Sequence, residues 1–477
     1  MRNRNTSGAA VLTAGQTAEQ KTASPNVAPG KVSANLLAIY VFIIVSRILD
    51  LSSIALLRIP LMLFIVLAIA TVALLIQRGI QGCLDNKASF CFAALTGWVA
   101  MAWPLSIWRA NSSGNVRATV EGLCVFVAVV QIASTIENWR KISAALGYAV
   151  FLASVLSFHY GRFVQGRLAL EAGSLADPNE FALALVVGVP FLLYSAAIAT
   201  PLKRIVLYGC FAVVLYCFAR TGSRGGLLAL AALFLVLFVL SRPSQKLLMI
   251  FAALIGIVAA GIFLPTYLKL RFLTFFSASD DVSASLRDRL GSDVASSEAR
   301  KELLIQSIEI TMQHPLLGVG PGNFPWEARK QRVARGEPGG WALVTHNTYT
   351  QYSSECGIPA FIFWVGTLFF CVKYLIQTYR ETSTVDPVLA HAARDVLSGM
   401  AALIVGSCFL ALAYGLEIPV LLGLAVSLRN IQATRHAQSR SADLVPKVVS
   451  EQPSTWPRSP LSRRTRRRFD LSGRPRA

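Results

Sequence analysis

Apolar positions in this chain form long continuous runs that are separated by short polar stretches. A run of about 20 residues crosses the hydrocarbon core of a bilayer as an α-helix, whereas a membrane barrel needs alternating polar and apolar positions. The pattern therefore predicts an all-α fold, a polytopic transmembrane helix bundle of about 12 spans. The predicted spans are residues 36–57, 59–77, 88–107, 118–136, 142–160, 181–200, 203–219, 225–241, 247–265, 357–378, 395–414 and 416–428.

The polar stretches divide the chain into five parts. Residues 1–34 are rich in small polar residues and predict a disordered cytoplasmic tail, without the early apolar segment of a signal peptide. Residues 35–265 form an N-terminal transmembrane bundle, and residues 266–356 a long periplasmic loop domain with short helices. Residues 357–430 supply the C-terminal transmembrane helices. Residues 431–477 predict a disordered, basic cytoplasmic tail.

Composition and charge agree with a membrane protein. Of the 477 residues, 54% are hydrophobic and only 15% are charged, which excludes an ordinary soluble globular chain. The net charge of +20 has its simplest explanation in topology, because Lys and Arg are retained on the cytoplasmic side. Both termini are therefore predicted to be cytoplasmic. Binding of nucleic acid or anionic lipid by the basic C-terminal tail is the alternative, and we expect no nucleic-acid partner.

With this orientation, the unusual polar clusters all fall on the external side. They are "GRFVQGR" (161–167), "ADPNEF" (176–181), "RTGSRGG" (220–226), the long loop, and "THNTY" from 345. Several of these clusters contain arginine with little acid nearby. Guanidinium groups bind phosphate oxygens in a planar fork, so a polyanionic ligand is a reasonable explanation.

The segment "FARTGSRGGLLAL" shows this chemistry most clearly. Arg220 and Arg224 are four residues apart, and we expect the next helix to start at Gly225 or Gly226. Glycines allow close approach to the backbone, and the free N–H groups of a helix N-terminus favour phosphate. The alternative is a pair of arginines whose charged ends reach the membrane surface from a glycine-rich turn.

Two further segments have structural and functional interpretations. Asp177 is placed to cap the helix that Pro178 and Asn179 open, although its carboxylate could also orient an arginine. In "HPLLGVGPGNF" the glycines predict tight turns after a helix near 298–312. This segment is not a P-loop, since no lysine and hydroxyl follow the glycines.

His346 is the best-placed general base among the five histidines. A neutral imidazole on the external face can accept a proton from a hydroxyl. The alternative is that His346 and Asn347 only cap the helix leading to Gly357, and His159 is the reserve candidate for the base. No histidine, cysteine or acidic residue has the spacing of a metal site, so we predict no metal and no cofactor. Of the cysteines, only Cys356 is expected near the outer surface, and we predict no disulfide and no cysteine nucleophile.

Taken together and in this order, "SRGG", "HPLLGVGPGNF" and "THNTYTQYSSECGIPAF" resemble the O-antigen ligase and polymerase family, which includes exopolysaccharide polymerases. The resemblance covers roughly residues 165–415. It implies a membrane glycosyltransferase C-like bundle in the bacterial inner membrane, active at its periplasmic face. Such an enzyme moves a glycan from undecaprenyl diphosphate to an acceptor hydroxyl on a glycan or on the lipid A core.

The resemblance also implies roles for particular residues. His346 would deprotonate the acceptor hydroxyl, while Arg224 and Arg220 would hold the diphosphate. Arg167 and Arg300 match less closely as further contacts to the donor. Supporting positions are Asn347, Glu355, Asp177 and Asn179. A direct displacement should invert the anomeric centre, because no carboxylate nucleophile is evident. The insert "RVARGEPGGWAL" and the long tails depart from the family pattern and leave the acceptor open.

A transporter or flippase of about 12 spans is the alternative from another functional class. Transporters usually have repeat symmetry, broken helices and polar residues near the middle of the membrane. Here the polar groups gather at one edge, and the long loop breaks any symmetry between the two halves. This distribution favours the enzyme.

Overall fold

The computed structural model describes residues 30–51, 58–80, 83, 85–273, 284–337 and 342–444. Within these ranges the chain forms fifteen α-helices, a two-stranded hairpin and two short 3-10 helices. The helices are α1 (Lys31–Ser46), α2 (Ile59–Arg78), α3 (Lys87–Ala102), α4 (Arg109–Ile132), α5 (Ile136–Tyr160), α6 (Pro178–Ala197), α7 (Pro201–Thr221), α8 (Arg224–Val239), α9 (Pro243–Phe263), α10 (Thr266–Leu273), α11 (Ala284–Gln313), α12 (Phe324–Ala334), α13 (Thr348–Thr382), α14 (Pro387–Gly406) and α15 (Glu417–Leu444). The 3-10 helices are Ile48–Leu51 and Gly173–Ala176.

The predicted class of a polytopic helical membrane protein is confirmed. Among the described residues, eight helices are long and apolar enough to cross a bilayer: α2, α4, α5, α6, α7, α9, α13 and α14. Three shorter apolar helices, α1, α3 and α8, accompany them. The predicted first span, 36–57, is not one continuous helix, because α1 begins at Lys31 and stops at Ser46; residues 52–57 of the prediction lie outside the described residues. Arg47 follows with a left-handed backbone (φ 55°), which ends the helix. The last predicted span, 416–428, is only the first part of α15.

The core of the bundle consists of large side chains from facing helices. Trp139 on α5, Phe181 and Phe191 on α6, and Trp364 on α13 are fully or almost fully buried. In contrast, no residue of the apolar helix α9 is buried, and it touches the described core only at its margin, where Met249 packs against it. An apolar helix exposed in this way is suited to face lipid.

A β-hairpin between α5 and α6 is the exception to the predicted all-α fold. Strand β1 (Gly161–Val164) pairs antiparallel with β2 (Arg167–Leu170). Gln165 and Gly166 join the strands with positive φ angles of 52° and 75°, as a two-residue type I′ turn requires. The short polar segment "GRFVQGR" gave no periodic signal for strands, and β2 is fully buried by its neighbours.

Helix α13 is interrupted at Gly357, which has a non-helical backbone (φ 85°, ψ 173°). The loop after α11 packs into this break, where the Ile358 N–H donates to the Pro315 carbonyl. A side chain at Gly357 would overlap the Leu316 carbonyl oxygen, so only glycine permits this contact. The predicted tight turns are present, since Gly318, Gly320 and Gly322 all have positive φ.

Several chain connections meet at the end of the bundle where α7 joins α8, which we call the α7–α8 end. The Arg271 Nε donates to the Gly222 carbonyl at 2.9 Å, which brings α10 to this connection. The Arg167 Nε donates to the Thr221 carbonyl at 2.9 Å and adds the hairpin. Three of the segments that the sequence placed on the external side, the hairpin, the α7–α8 connection and the start of the long loop, therefore meet at one end of the bundle.

Candidate functional site

The N-terminus of α8 is the centre of the candidate site. Gly222 ends α7 with a left-handed backbone (φ 58°), and Ser223 caps α8 by accepting a hydrogen bond from the Gly226 N–H at 3.1 Å. The expected start of this helix at Gly225 or Gly226 is therefore wrong by one or two residues. The Ser223 cap makes Arg224 the first helical residue, so its guanidinium group originates in the first turn.

Asn179 connects three elements behind this helix end. Its Oδ1 accepts hydrogen bonds from Arg167 Nη2 at 2.6 Å and from Ser223 Oγ at 2.9 Å. Both Asn179 and Arg167 are buried, with exposed fractions of 9% and 8%. Arg167 is thus fixed in the structure by the hairpin and α6, and its charge lies beside the capped end of α8.

A narrow pocket, without room for a water molecule in this structure, lies at the same helix end. Its polar lining comes from Asn179, Ser223 and Arg300, together with the backbone of Gly225 and Gly226. Leu183, Gly406, Phe409 and Leu410 supply the apolar wall. Free N–H groups of a first helical turn beside a guanidinium group favour an anion. Arg300 is therefore brought to the α8 N-terminus from α11, which lies far along the chain.

Arg220 lies against the hairpin rather than in the lining of this pocket. Its guanidinium carbon is 5.3 Å from the centre of the Phe163 ring and 5.8 Å from that of Tyr216. Nη1 also donates to the Tyr216 hydroxyl at 3.0 Å. Aromatic faces attract a cation, so these contacts hold Arg220 against the hairpin.

Asp177 forms the cap that the sequence predicted for α6. Its Oδ1 accepts hydrogen bonds from the Asn179 and Glu180 N–H groups at 2.7 and 3.2 Å. The same carboxylate lies near enough to His346 to affect its titration. Asp177 therefore stabilises the start of α6 and also contributes negative charge close to the imidazole.

His346 precedes α13 in a left-handed backbone conformation (φ 49°) and is partly buried. Asn347 supplies the cap, because its Oδ1 accepts from the Tyr349 and Thr350 N–H groups at 2.9 and 3.1 Å. The alternative interpretation, in which these residues cap the helix, is therefore correct for Asn347. The His346 imidazole makes neither of these two capping bonds. Burial lowers the pKa of His346, the nearby positive charge of Arg300 lowers it further, and Asp177 partly opposes both. These effects favour the neutral imidazole that a general base requires.

Glu355 follows His346 along the chain and lies on α13, just before the break at Gly357. The carboxylate is buried, and its Oε2 accepts from the Gly322 N–H at 2.7 Å and from the Tyr414 hydroxyl at 2.6 Å. The backbone of Phe324 and the side chain of Gln351 also interact with this carboxylate. Glu355 therefore contacts the glycine-rich turn rather than the pocket at α8.

Sequence reasoning missed Arg271 and Tyr267, both on α10. Besides the bond from Arg271 to Gly222, the Tyr267 hydroxyl donates to the Gly166 carbonyl in the hairpin turn. Neither residue belongs to a recognisable motif, and both contacts span distant parts of the chain. The expectation that Cys356 is the cysteine near the surface is also wrong: Cys356 is buried beneath the turn and Cys408 is exposed.

The apolar helices long enough to span a bilayer define the class as an integral membrane protein. Residues 209–365 match the family model described as O-antigen ligase, and this match confirms the resemblance over a segment shorter than the expected 165–415. The match supports an O-antigen ligase assignment for this segment, broadly a membrane glycosyltransferase of the ligase and polymerase type. The matched segment includes Arg220, Arg224, Arg300, His346 and Glu355. No curated protein matches the chain.

Proposed function

We propose that this protein transfers a glycan from undecaprenyl diphosphate to an acceptor sugar hydroxyl at the periplasmic face of a bacterial inner membrane. The family match supports the general activity. The observation that carries the specific proposal is the position of Arg300, which lines the pocket at the α8 N-terminus and also influences the titration of His346. One site thus contains a group suited to a diphosphate and a base suited to an acceptor.

The diphosphate binds at the N-terminus of α8 in this proposal. Arg224 in the first helical turn and Arg300 in the pocket supply charge-assisted hydrogen bonds, and Arg220 adds positive charge from the hairpin side. Arg167 is already bonded to Asn179 and Thr221, so it maintains the shape of the site. Guanidinium groups can neutralise a diphosphate without a metal ion, and we propose a metal-independent reaction.

His346 acts as the general base. Its imidazole takes the proton from the acceptor hydroxyl while that oxygen attacks the anomeric carbon. A new C–O bond forms as the bond from the anomeric carbon to the diphosphate oxygen breaks, and the departing diphosphate keeps the electron pair. The arginines stabilise this developing charge. A single displacement inverts the anomeric configuration.

The reaction can be tested with purified protein in lipid nanodiscs, a glycan linked to undecaprenyl diphosphate, and either lipid A core or free glycan as acceptor. We expect release of undecaprenyl diphosphate, a new glycosidic linkage of inverted configuration by NMR, and no loss of rate with EDTA. The acceptor that reacts distinguishes a ligase from a polymerase. Empty nanodiscs are the control.

The same protein in sealed liposomes tests the transporter alternative. Movement of the lipid-linked glycan between leaflets without any new glycosidic bond would contradict the proposed transfer. In the structure, the polar contacts of the site lie at the ends of α6, α7 and α8, whereas a transport path requires polar groups through the bilayer. This placement favours the transferase.

A further inference from the structure

The break in α13 creates a short helical arm, residues 348–356, which follows His346 and the capping residue Asn347. At Gly357 the backbone leaves the helical conformation, so the arm is not fixed by continuous helical hydrogen bonds to the spanning part of α13. Its orientation must therefore be set by tertiary contacts. The orientation matters because the arm determines where its N-terminus, and hence His346, is held.

One side of the arm binds the connection between α14 and α15. The Thr348 N–H donates to the Ser407 carbonyl at 2.8 Å, and its hydroxyl donates to the Leu410 carbonyl at 2.7 Å. Further along, the Gln351 Oε1 accepts from the Ala413 N–H at 3.1 Å. These contacts fix the arm against residues 407–413.

The C-terminal part of the arm binds the loop domain that carries Arg300. The Val319 and Gly320 N–H groups donate to the carbonyls of Ser354 and Glu355 at 3.0 and 2.8 Å. The hydroxyls of Thr311 on α11 and Ser353 on the arm are 2.9 Å apart. The position of the arm relative to α11 therefore depends on the glycine-rich turn.

Glu355 is the residue at which both sets of contacts meet. One oxygen, Oε2, accepts from Gly322 of the turn and from Tyr414 of the α14–α15 connection. The side chain is 3% exposed, so an apolar replacement leaves the partly buried Gly322 N–H and Tyr414 hydroxyl without this acceptor. Removing Glu355 weakens both attachments of the arm at once.

We propose that Glu355 is a positioning residue. Its carboxylate joins the glycine-rich turn to the α14–α15 connection and thereby fixes the position of His346 relative to Arg300. This role rests on the proposed function, because it assigns His346 as the base and Arg300 as a ligand of the donor. Glu355 acts through the arm and does not itself contact the reacting atoms. Displacement of a base by about 1 Å can lower a rate roughly 100-fold, so a defect in positioning should affect turnover strongly.

The test compares Glu355→Leu, Glu355→Gln and Tyr414→Phe in the purified full-length protein. Glu355→Leu removes the acceptor and should lower kcat by about 10- to 100-fold, while the KM for the lipid-linked donor changes little. Glu355→Gln retains an acceptor oxygen and Tyr414→Phe removes one bond only, so both should keep more activity. Glu327→Gln is the matched control, because this buried carboxylate of α12 binds Gln331 and Lys330 within its own helix. It should behave as wild type.

Hydrogen exchange provides a measurement that is independent of activity. In Glu355→Leu, the amides of residues 319–322 and 348–356 should exchange faster than in wild type, and those of α5 and α6 should not. Unchanged exchange, wild-type turnover, or a defect confined to donor KM would each overturn the positioning role. If wild-type protein transfers no glycan, the proposed function fails, and the exchange data still decide whether Glu355 holds the arm.

Discussion

The Arg167 guanidinium donates to the Asn179 side-chain oxygen at 2.6 Å, and this bond joins the hairpin to the first turn of α6. The same oxygen accepts from Ser223, the cap of α8, so one amide group aligns three chain segments. Arginine, helix terminus and cap thus form a single buried polar network. In this network Arg167 has a structural role, and the proposed ligands of the diphosphate are Arg224 and Arg300.

His346→Ala should lower glycan transfer by about 100-fold or more, because the variant lacks the proposed base. The protein should remain in the membrane fraction, since the side chain is only partly buried. Transfer is measured from the lipid-linked donor in nanodiscs. His159→Ala is the matched control: normal transfer by His346→Ala with loss in His159→Ala would assign the base to His159 instead.

The rate of transfer should fall at acidic pH, and the pH at which it falls should depend on the charge of Arg300. His346 must be neutral to act, so kcat falls as the pH drops through its pKa, and the acidic limb should lie below the ordinary value of 6.5. Arg300→Gln removes a positive charge that lowers this pKa, so the limb should move to higher pH. Arg300→Lys keeps the charge and should leave the limb in place. If Arg300→Gln leaves the acidic limb in place, the charge of Arg300 does not affect the pKa of His346.

Arg224→Lys should lower transfer about 100-fold, because an ammonium group cannot reproduce the two parallel hydrogen bonds of a guanidinium. Arg162→Lys is the control, since Arg162 is exposed on β1. Initial rates for both variants are compared at equal protein in the membrane. Full activity in Arg224→Lys would indicate that Arg224 only positions its helix at the membrane surface.

Asp177→Ala and Asp177→Asn should separate helix capping from charge. Alanine removes the cap of α6 and should cost about 1 kcal/mol of stability, whereas asparagine remains a good cap. Thermal unfolding in detergent measures the difference. If Asp177 only caps, Asp177→Asn should transfer glycan at the wild-type rate; a slow Asp177→Asn with normal stability would show that its charge acts on His346.

Gly318→Ala should destabilise the docked turn far more than Gly336→Ala. Both glycines have a positive φ, so alanine costs about 1–2 kcal/mol of backbone strain at either position. At Gly318 the added Cβ would also lie 2.3 Å from the Glu355 carbonyl carbon, whereas nothing lies within 4 Å at Gly336. Unfolding temperatures compare the two variants. Equal effects would mean that the turn does not pack tightly against α13.

Local sequence patterns account for the helices, their caps and the turns. Continuous apolar runs define most of the spanning segments, and an Asp or Asn before a helix satisfies its first N–H groups, as Asp177 and Asn347 do. The glycines of "HPLLGVGPGNF" indicate the turn because their positive φ angles are costly for other residues. The ordered motifs also identified the family, which the match to residues 209–365 confirms.

Only the tertiary structure decided which distant groups meet. The hairpin is stabilised by burial of β2, Arg271 reaches Gly222, and Glu355 joins Gly322 to Tyr414. These partners are separated by about 30 residues or more, whereas helical and strand patterns report neighbours within about four residues. Contacts across such separations depend on how the helices pack, which no local pattern contains. The sequence by itself therefore determined the elements and the types of chemistry, and packing determined that Arg167 binds Asn179 and Thr221 while Arg300 reaches the N-terminus of α8.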